Sequence, residues 1–222
     1  MSKRDTMVQV ARYWNNIAEE FDSIYTGKNK SGIARALDRY FRADIYGRFE
    51  WVMQHSGDIR GRSICDIGCG SGRFVAEFAK RGASHVTGVD VAPEMIRLAQ
   101  DLVRTDGGAE RCDFAVADVL NWKPTRQFDI TIAIGFWDYI ANPAERLRLI
   151  RGFTTDRFLS AWPRLWTWRM PLRKVRLKYH DSGCPVYFFR KPQVYQMLQD
   201  AGFRIESCEV VGKLFCVDAR AR

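Results

Sequence analysis

The feature that most constrains the fold is the stretch Ile64–Gly72, which reads ICDIGCGSG. The apolar run from Ser63 to Ile67 predicts a buried strand, three glycines at alternate positions follow it, and a helical pattern then covers Arg73 to Arg81. At such a corner glycine lets a ligand approach the backbone without meeting a Cβ atom, and the start of the helix presents unpaired N–H groups. The stretch therefore predicts an anion- and nucleoside-binding corner.

The spacing of the glycines separates this corner from a dinucleotide site. The dinucleotide pattern G-x-G-x-x-G, counted from Gly68, requires a third glycine where Arg73 stands. The chain instead places Asp66, Gly68, Gly70 and Gly72 at alternate positions. A carboxylate here would repel a pyrophosphate but would accept hydrogen bonds from an ammonium group. This pattern resembles the first motif of class I S-adenosylmethionine methyltransferases, and the resemblance implies that the acid and the glycines bind the methionine part of that cofactor.

Two more acidic residues stand at predicted strand ends, where ligands bind in a doubly wound sheet. Asp90 ends the second predicted strand, about 20 residues beyond the glycine loop, and is expected to accept hydrogen bonds from both ribose hydroxyls. Met95 is expected to lie against the adenine. Asp118 follows the strand Cys112–Ala117 and is expected to accept a hydrogen bond from the adenine amino group, whereas its rival Asp113 lies at the wrong end of that strand.

A polar and aromatic cluster, Gly135 to Tyr139, follows the β-branched run Ile130–Ile134, which is typical of a central parallel strand. In this fold that edge separates cofactor from substrate. In-line SN2 transfer of a methyl group needs alignment and, for a hydroxyl or ammonium acceptor, a group that takes the proton. The candidates are Asp138 on its intrinsic pKa, His180 on its match to neutral pH, Tyr139 and Tyr25.

The resemblance implies an α/β fold, a Rossmann-like seven-stranded, mostly parallel sheet with an antiparallel C-terminal hairpin and helices on both faces. The cofactor it implies is S-adenosylmethionine, with S-adenosylhomocysteine as product. The implied cofactor-binding residues lie at the carboxyl edge of this sheet: Asp66, Gly68, Cys69, Gly70, Gly72, Asp90, Val91, Met95, Asp118, Val119, Ile134, Gly135 and Phe136.

The layout also resembles one subgroup, the magnesium-protoporphyrin O-methyltransferases. The shared features are an N-terminal helical arm that ends in Ile24-Tyr25 and a basic segment between Trp162 and Tyr187. Tyr25 falls on the functional tyrosine of that family, but Tyr139 stands where the family has a histidine. The porphyrin substrate is therefore not carried over.

Three parts are expected along the chain: an N-terminal helical arm or lid at 1–58, a cofactor-binding domain at 59–222, and within it a substrate-covering insertion at 163–190. The arm is expected to pack through an apolar stripe at helical spacing: Val10, Tyr13, Trp14, Ile17 and Phe21. The alternative is a lid in which Tyr13 or Tyr25 faces the ligand.

The net charge of +9 is relevant to which molecule accepts the methyl group. Six basic residues and no acid lie between Arg164 and Lys178, interleaved with tryptophans and leucines. RNA, a membrane surface, an anionic small molecule or a solvated helix face could each explain this segment. A small-molecule acceptor, anionic or amphiphilic, is favoured. The alternatives are an RNA methyltransferase that uses residues 164–178 and a non-catalytic protein that binds the cofactor as a regulator or scaffold.

Several other classes are disfavoured by the sequence. No histidine or cysteine spacing suggests a metal site, and no apolar run approaches the ~20 residues of a membrane span. The first ten residues lack the apolar core of a secretion signal. The six cysteines form no C-x-x-C pair, so a reduced, cytoplasmic location is expected.

Overall fold

The computed structural model describes residues 3–26, 43–165, 184 and 186–222. Most of the predicted insertion at 163–190, including the basic segment beyond Leu165, lies outside these residues. Within the described part, no helix combines the length and the apolarity needed to cross a bilayer.

Seven strands form one sheet in the order β3-β2-β1-β4-β5-β7-β6. The first five pair in parallel and the last two form an antiparallel hairpin with β5, which confirms the predicted sheet. The strands are β1 (Ser63–Ile67), β2 (His85–Asp90), β3 (Cys112–Val116), β4 (Phe128–Ile134), β5 (Thr154–Pro163), β6 (Phe203–Val211) and β7 (Leu214–Ala221).

Six helices are described: α1 (Lys3–Thr26), α2 (Ala43–His55), α3 (Arg73–Lys80), α4 (Pro93–Asp106), α5 (Pro143–Phe153) and α6 (Lys191–Asp200). A proline occupies the first turn of α4, α5 and α6, where its missing N–H leaves no helical hydrogen bond unmade. Short 3₁₀ turns follow α4 and β4, at Ala109–Arg111 and Trp137–Tyr139.

Helices cover both faces of the sheet, as predicted. On one face α2, α3 and α4 bury side chains against β1 and β4, including Val52, Val75 and Val103. On the other face α5 and α6 do the same with Leu147 and Leu198. Each buried aliphatic side chain of this size contributes roughly 1.5–3 kcal/mol, so these two layers hold the strand ends in place.

The two N-terminal helices are attached to different parts of the domain. Gly47 of α2 packs against the terminal hairpin, because a Cβ atom at this glycine would lie 3.0 Å from Val211. His55 Nε2 lies 3.0 Å from Glu209 Oε1 on β6. By contrast, α1 packs against α4, where Ala18 is buried with Met95.

The hairpin is longer than the sequence pattern indicates. The continuous apolar run Leu214–Val217 covers only the first half of the last strand, and β7 continues to Ala221. The reason is pairing: β7 runs beside β5 as far as Arg157↔Arg220 and beside β6 as far as Phe203↔Ala221.

Candidate active site

A cavity of about 310 Å³ opens at the carboxyl edge of β1, β2 and β4. The glycine corner forms one wall, and the residues that follow β2 and β4 form two more. Helices α1 and α2 close the remaining side with Met7, Val10, Trp14, Arg48 and Phe49. This position agrees with the rule that ligands of open α/β sheets bind beyond the carboxyl ends of the strands.

The glycine corner is tied to the neighbouring strand and left open to the cavity. The N–H groups of Gly68 and Cys69 both donate to the carbonyl oxygen of Val89, at 2.7 and 3.1 Å. Gly70 has a φ of 52°, and a Cβ atom built there would meet nothing within 4 Å. A ligand can therefore approach the backbone at Gly70 without a clash.

The last glycine of the corner serves packing. A Cβ atom at Gly72 would lie 2.6 Å from the Cβ of Ala99, so only glycine allows α3 and α4 to approach this closely. Gly72 is not among the residues that line the cavity. Its predicted contact with the cofactor stays a prediction.

Asp66 carries the most unusual electrostatic environment in the corner. Its side chain is 1% exposed, and its Oδ2 atom has no hydrogen-bond partner among the described residues. Burial, together with the charge of nearby Asp90, raises the pKa of Asp66 to about 8. A buried acceptor in this state is suited to a cationic donor, which would satisfy the oxygen and stabilise the charge.

Asp90 lines the cavity, whereas Asp66 immediately precedes Ile67 on its wall, and Asp90 is already held in place. Its Oδ2 accepts the N–H of Gly70 at 3.0 Å, and its Oδ1 accepts the N–H of Ala92 at 2.9 Å. Burial raises its pKa, and these backbone bonds oppose the rise. Each oxygen retains a lone pair, so the carboxylate can still accept hydrogen bonds from ligand hydroxyls.

The other predicted cofactor residues are brought together around this corner, with the exception of Asp118. Those that line the cavity are Gly68, Cys69, Gly70, Asp90, Val91, Met95, Val119, Ile134, Gly135 and Phe136. Burial, with the charges of Asp90 and Asp66, raises the pKa of the Cys69 thiol, so this thiol stays protonated.

Asp118 has partners from the protein. Its Oδ1 accepts the N–H of Leu120 at 3.1 Å, and its Oδ2 accepts Nη2 of Arg146 at 2.8 Å. The side chain faces a neighbouring cavity that it shares with Met7 and Asn121. Its predicted contact with an adenine amino group is untested.

Two of the four predicted catalytic residues lie on the cavity wall. Asp138 and Tyr139 line it, and the Tyr139 ring contacts Trp14 edge-on with centroids 5.7 Å apart. Burial, and then the charge of Asp138, raises the pKa of Tyr139 above its usual range. Tyr139 therefore stays a neutral phenol that can donate a hydrogen bond and is a poor base. His180 and the side chain of Tyr25 lie outside the described residues.

Several cavity residues escaped the sequence analysis, above all Arg48. Its Nη1 atom would lie 3.2 Å from a Cβ atom at Gly135, which places the guanidinium over the carboxyl end of β4. Trp14 belongs to the stripe that predicted core packing, and the lid alternative named Tyr13 or Tyr25 instead. The stripe identified the correct helical face, but nothing in the sequence separates Arg48 from the many exposed arginines.

The chemistry of the residues around the cavity fits S-adenosylmethionine. The unpartnered Oδ2 of Asp66 suits the ammonium group of the cofactor, and Arg48 suits its carboxylate. Ser71, whose buried hydroxyl has no partner among the described residues, offers another donor at the same wall. Among the described residues, no group of three or more His, Cys, Asp or Glu side chains is arranged to hold a metal ion.

Comparison with known proteins agrees with the resemblance of the first motif. A family model described as a methyltransferase domain matches residues 64–154, from the glycine corner to the start of β5. The matched residues include the corner in which the first motif resembles class I S-adenosylmethionine methyltransferases, so the match supports that resemblance.

Individual relatives cover the chain in part. Ubiquinone biosynthesis O-methyltransferase of Aeromonas salmonicida is 31% identical over 103 residues, 46% of this chain and 43% of that protein. Trans-aconitate 2-methyltransferase of Streptomyces avermitilis is 32% identical over 85 residues, 38% of this chain and 32% of that protein. The chain thus spans less than half the length of these curated relatives.

Solved structures match the whole fold at low identity. Magnesium protoporphyrin IX methyltransferase of Synechocystis, crystallised with S-adenosylhomocysteine, has a TM-score of 0.77 at 17% identity and covers 96% of this chain and 98% of that chain. The cyclase SpnF has a TM-score of 0.70 at 17% identity, with 95% and 94% covered. The predicted likeness to the protoporphyrin subgroup is confirmed for the fold, and at these identities it extends no further.

Proposed function

We propose that this chain transfers the methyl group of S-adenosylmethionine to a small-molecule acceptor and releases S-adenosylhomocysteine. The single observation that carries the proposal is the buried carboxylate of Asp66, whose Oδ2 lacks a partner among the described residues beside an open glycine corner. Folding leaves such a group unsatisfied at a cost, and a cationic ligand removes that cost.

Each part of the cofactor has a complementary group on the cavity wall or, at Asp66, one residue before the glycine corner joins that wall at Ile67. The ammonium group is expected to donate to Asp66 and the methionine carboxylate to accept from Arg48. The ribose hydroxyls are expected to donate to Asp90, whose geometry is already set by two backbone bonds. Val91 and Met95 offer an apolar wall for the adenine.

The acceptor side of the cavity is formed by the residues after β4. When bound, the cofactor supplies a methyl group already activated by a sulfonium, so the protein need not form a covalent intermediate. Asp138 and Tyr139 line this side. We expect Asp138 to take a proton from the acceptor and Tyr139 to donate a hydrogen bond that orients it. Packing of Trp14 against Tyr139 limits the motion of that phenol.

The lining favours an acceptor that is partly apolar. Beyond the groups assigned to the cofactor, the wall is mostly aliphatic and aromatic, and its charged side chains are Arg73 and Asp138. Phe49 and Phe74 stack with centroids 5.2 Å apart and form a flat apolar surface. These features support an amphiphilic acceptor with an anionic group. The name of one relative, trans-aconitate 2-methyltransferase, refers to a small acid.

Calorimetry with S-adenosylhomocysteine tests the cofactor assignment. Wild type should bind, and Asp66→Asn and Asp90→Asn should each weaken binding by about tenfold or more, because each loses a hydrogen bond to a charged group. Asp106→Asn is the matched control, since Asp106 is exposed at the far end of α4. Unchanged binding in both site variants would refute the assignment.

Transfer of a labelled methyl group to a panel of phenols, carboxylic acids and amphiphilic quinols tests the reaction. The proposal is supported if wild type forms a labelled product and a variant at Asp138 does not. Tight cofactor binding with no transfer to any member would favour the non-catalytic alternative.

A second candidate, methylation of RNA, is favoured by the charge of +9 and by one group of relatives. The tRNA U34 carboxymethyltransferase of Shewanella pealeana is 25% identical over 115 residues, 52% of this chain and 34% of that protein. Binding of tRNA that weakens steeply with salt, together with label transfer to tRNA, would replace the small-molecule proposal.

A further inference from the structure

Helix α1 contacts the domain along one side, which lines the cofactor cavity at one end and packs against α4 at the other. Met7, Val10 and Trp14 recur at helical spacing and line the cofactor cavity. Ala18, on the same side of the helix, is 1% exposed and packs with Met95, whose side chain lines the cavity from α4. The contact between α1 and α4 therefore adjoins the wall assigned to the adenine.

The first turn of α4 lacks a cap of its own. Its N-cap position is Ala92, which has no side-chain oxygen to accept the N–H groups at the start of the helix. Pro93 has no N–H, so Glu94 carries the first unpaired donor of the turn. That donor is satisfied from another helix, because Asn15 Oδ1 of α1 accepts the N–H of Glu94 at 3.1 Å.

We propose that Asn15 is a positioning residue that caps α4 from α1, so that docking of α1 and binding of the cofactor are cooperative. The proposal rests on the methyltransferase function proposed above. Asn15 joins α1 to the turn that holds Val91 and Met95, and Trp14, the residue before it, contacts Tyr139 on the acceptor side. One helix thereby contacts both the cofactor wall and the acceptor wall.

The size of the effect follows from the energetics of helix caps. Loss of a cap side chain costs about 1 kcal/mol, which corresponds to about fivefold in a binding constant. We expect that in the unliganded protein α1 undocks more readily and the Glu94 N–H then binds water, so that the substitution costs little stability there. With a ligand beneath α1, undocking also exposes the ligand, and the missing cap weakens binding.

The test measures binding of S-adenosylhomocysteine to the full chain by calorimetry in four proteins: wild type, Asn15→Ala, Asn15→Asp and Asn16→Ala. Asn15→Ala should bind about fivefold more weakly. Asn15→Asp keeps an acceptor at the start of α4, where a carboxylate is favourable, and should stay within about twofold of wild type. Asn16→Ala changes an exposed asparagine on the same helix and should also stay within about twofold.

Hydrogen exchange separates positioning from simple structural support. S-adenosylhomocysteine should slow exchange in peptides covering residues 7–18 and 92–98 of wild type, and Asn15→Ala should lose much of that protection in both. Equal affinity in Asn15→Ala and Asn16→Ala would overturn the proposal. So would a lower melting temperature of unliganded Asn15→Ala with unchanged affinity. If wild type itself failed to bind, the proposed function would fail first.

Discussion

Two carboxylates near opposite edges of the sheet, Asp156 and Asp66, differ in how the protein satisfies them. At the amino edge Asp156 is paired with both Arg62 and Arg220, and Asp129 accepts the N–H and the hydroxyl of Ser63, each at 2.8 Å. At the carboxyl edge, Asp66 is buried deeper than these residues, yet its Oδ2 has no partner among the described residues.

The pKa directions follow this difference. Burial tends to raise the pKa of Asp156, but the hydrogen bonds and charges of Arg220 and Arg62 outweigh it, so its pKa is lowered. Burial raises the pKa of Asp66 to about 8, and the neighbouring charge of Asp90 adds to the rise. Asp156 is thus paired without a ligand, whereas Asp66 has an oxygen without a partner among the described residues and favours its neutral form, which a bound cation would reverse.

The largest expected effect is at Asp66, where one substitution should stabilise the unliganded protein and weaken cofactor binding. Asp66→Asn should raise the free energy of unfolding of the unliganded protein, on the order of a few kcal/mol near pH 8, because the amide has no charge to desolvate. The same variant should lose cofactor affinity. Chemical denaturation with and without S-adenosylhomocysteine measures both. A variant that is less stable than wild type without ligand would contradict the comparison.

The raised pKa of Asp66 also predicts how pH affects the stability of the protein and its affinity for the cofactor. Its folded pKa lies above its unfolded value, so the folded state binds more protons and stability falls as pH rises from about 4 to about 8. Cofactor binding requires the carboxylate, so affinity should rise by up to about tenfold per pH unit between about pH 6 and about pH 8. Calorimetry across that range should show the rise in wild type. An equal rise in Asp66→Asn would assign it to another group.

The site was predictable where its residues are neighbours along the chain. Asp66, Gly68 and Gly70 occupy one strand and one loop, and Asp90 ends the next strand, so local spacing suffices to place them. Arg48 and Trp14 reach the cavity from helices packed by tertiary contacts, and a single sequence does not indicate which face of such a helix meets a ligand.

Contacts between residues far apart in the sequence also limited what could be predicted, both for the partners of Asp118 and for the length of β7. Asp118 stands at a strand end like Asp90, but Arg146, 28 residues away, occupies one of its oxygens. The length of β7 depends on β5 as its partner, since apolar alternation in β7 is interrupted by Asp218 and Arg220, which face charged groups at the amino edge. The fold class was accessible because strand and helix alternate with clear periods.

At the amino edge, Asp156→Asn should lower stability and leave the site intact. It leaves Arg62 and Arg220 beside each other without their shared carboxylate, and we expect a loss of about 1–2 kcal/mol after allowance for solvent screening. Denaturation measures the loss, and calorimetry should give wild-type affinity for S-adenosylhomocysteine. Asp106→Asn is again the control. Weakened binding in Asp156→Asn would mean that the two edges are coupled.

The smallest effect is expected at Tyr139, a member of the carboxyl edge whose role depends on its staying neutral. Tyr139→Phe removes one neutral hydrogen-bond donor, so methyl transfer should slow by about two- to tenfold while cofactor affinity stays unchanged. Tyr195→Phe, on α6 away from the cavity, is the matched control. Single-turnover transfer rates measure the effect, and their pH profile should not change, because the raised pKa of Tyr139 keeps the phenol protonated in wild type. Equal rates in both variants would remove Tyr139 from the chemistry and leave Asp138 as the only predicted acceptor-side residue on the described wall.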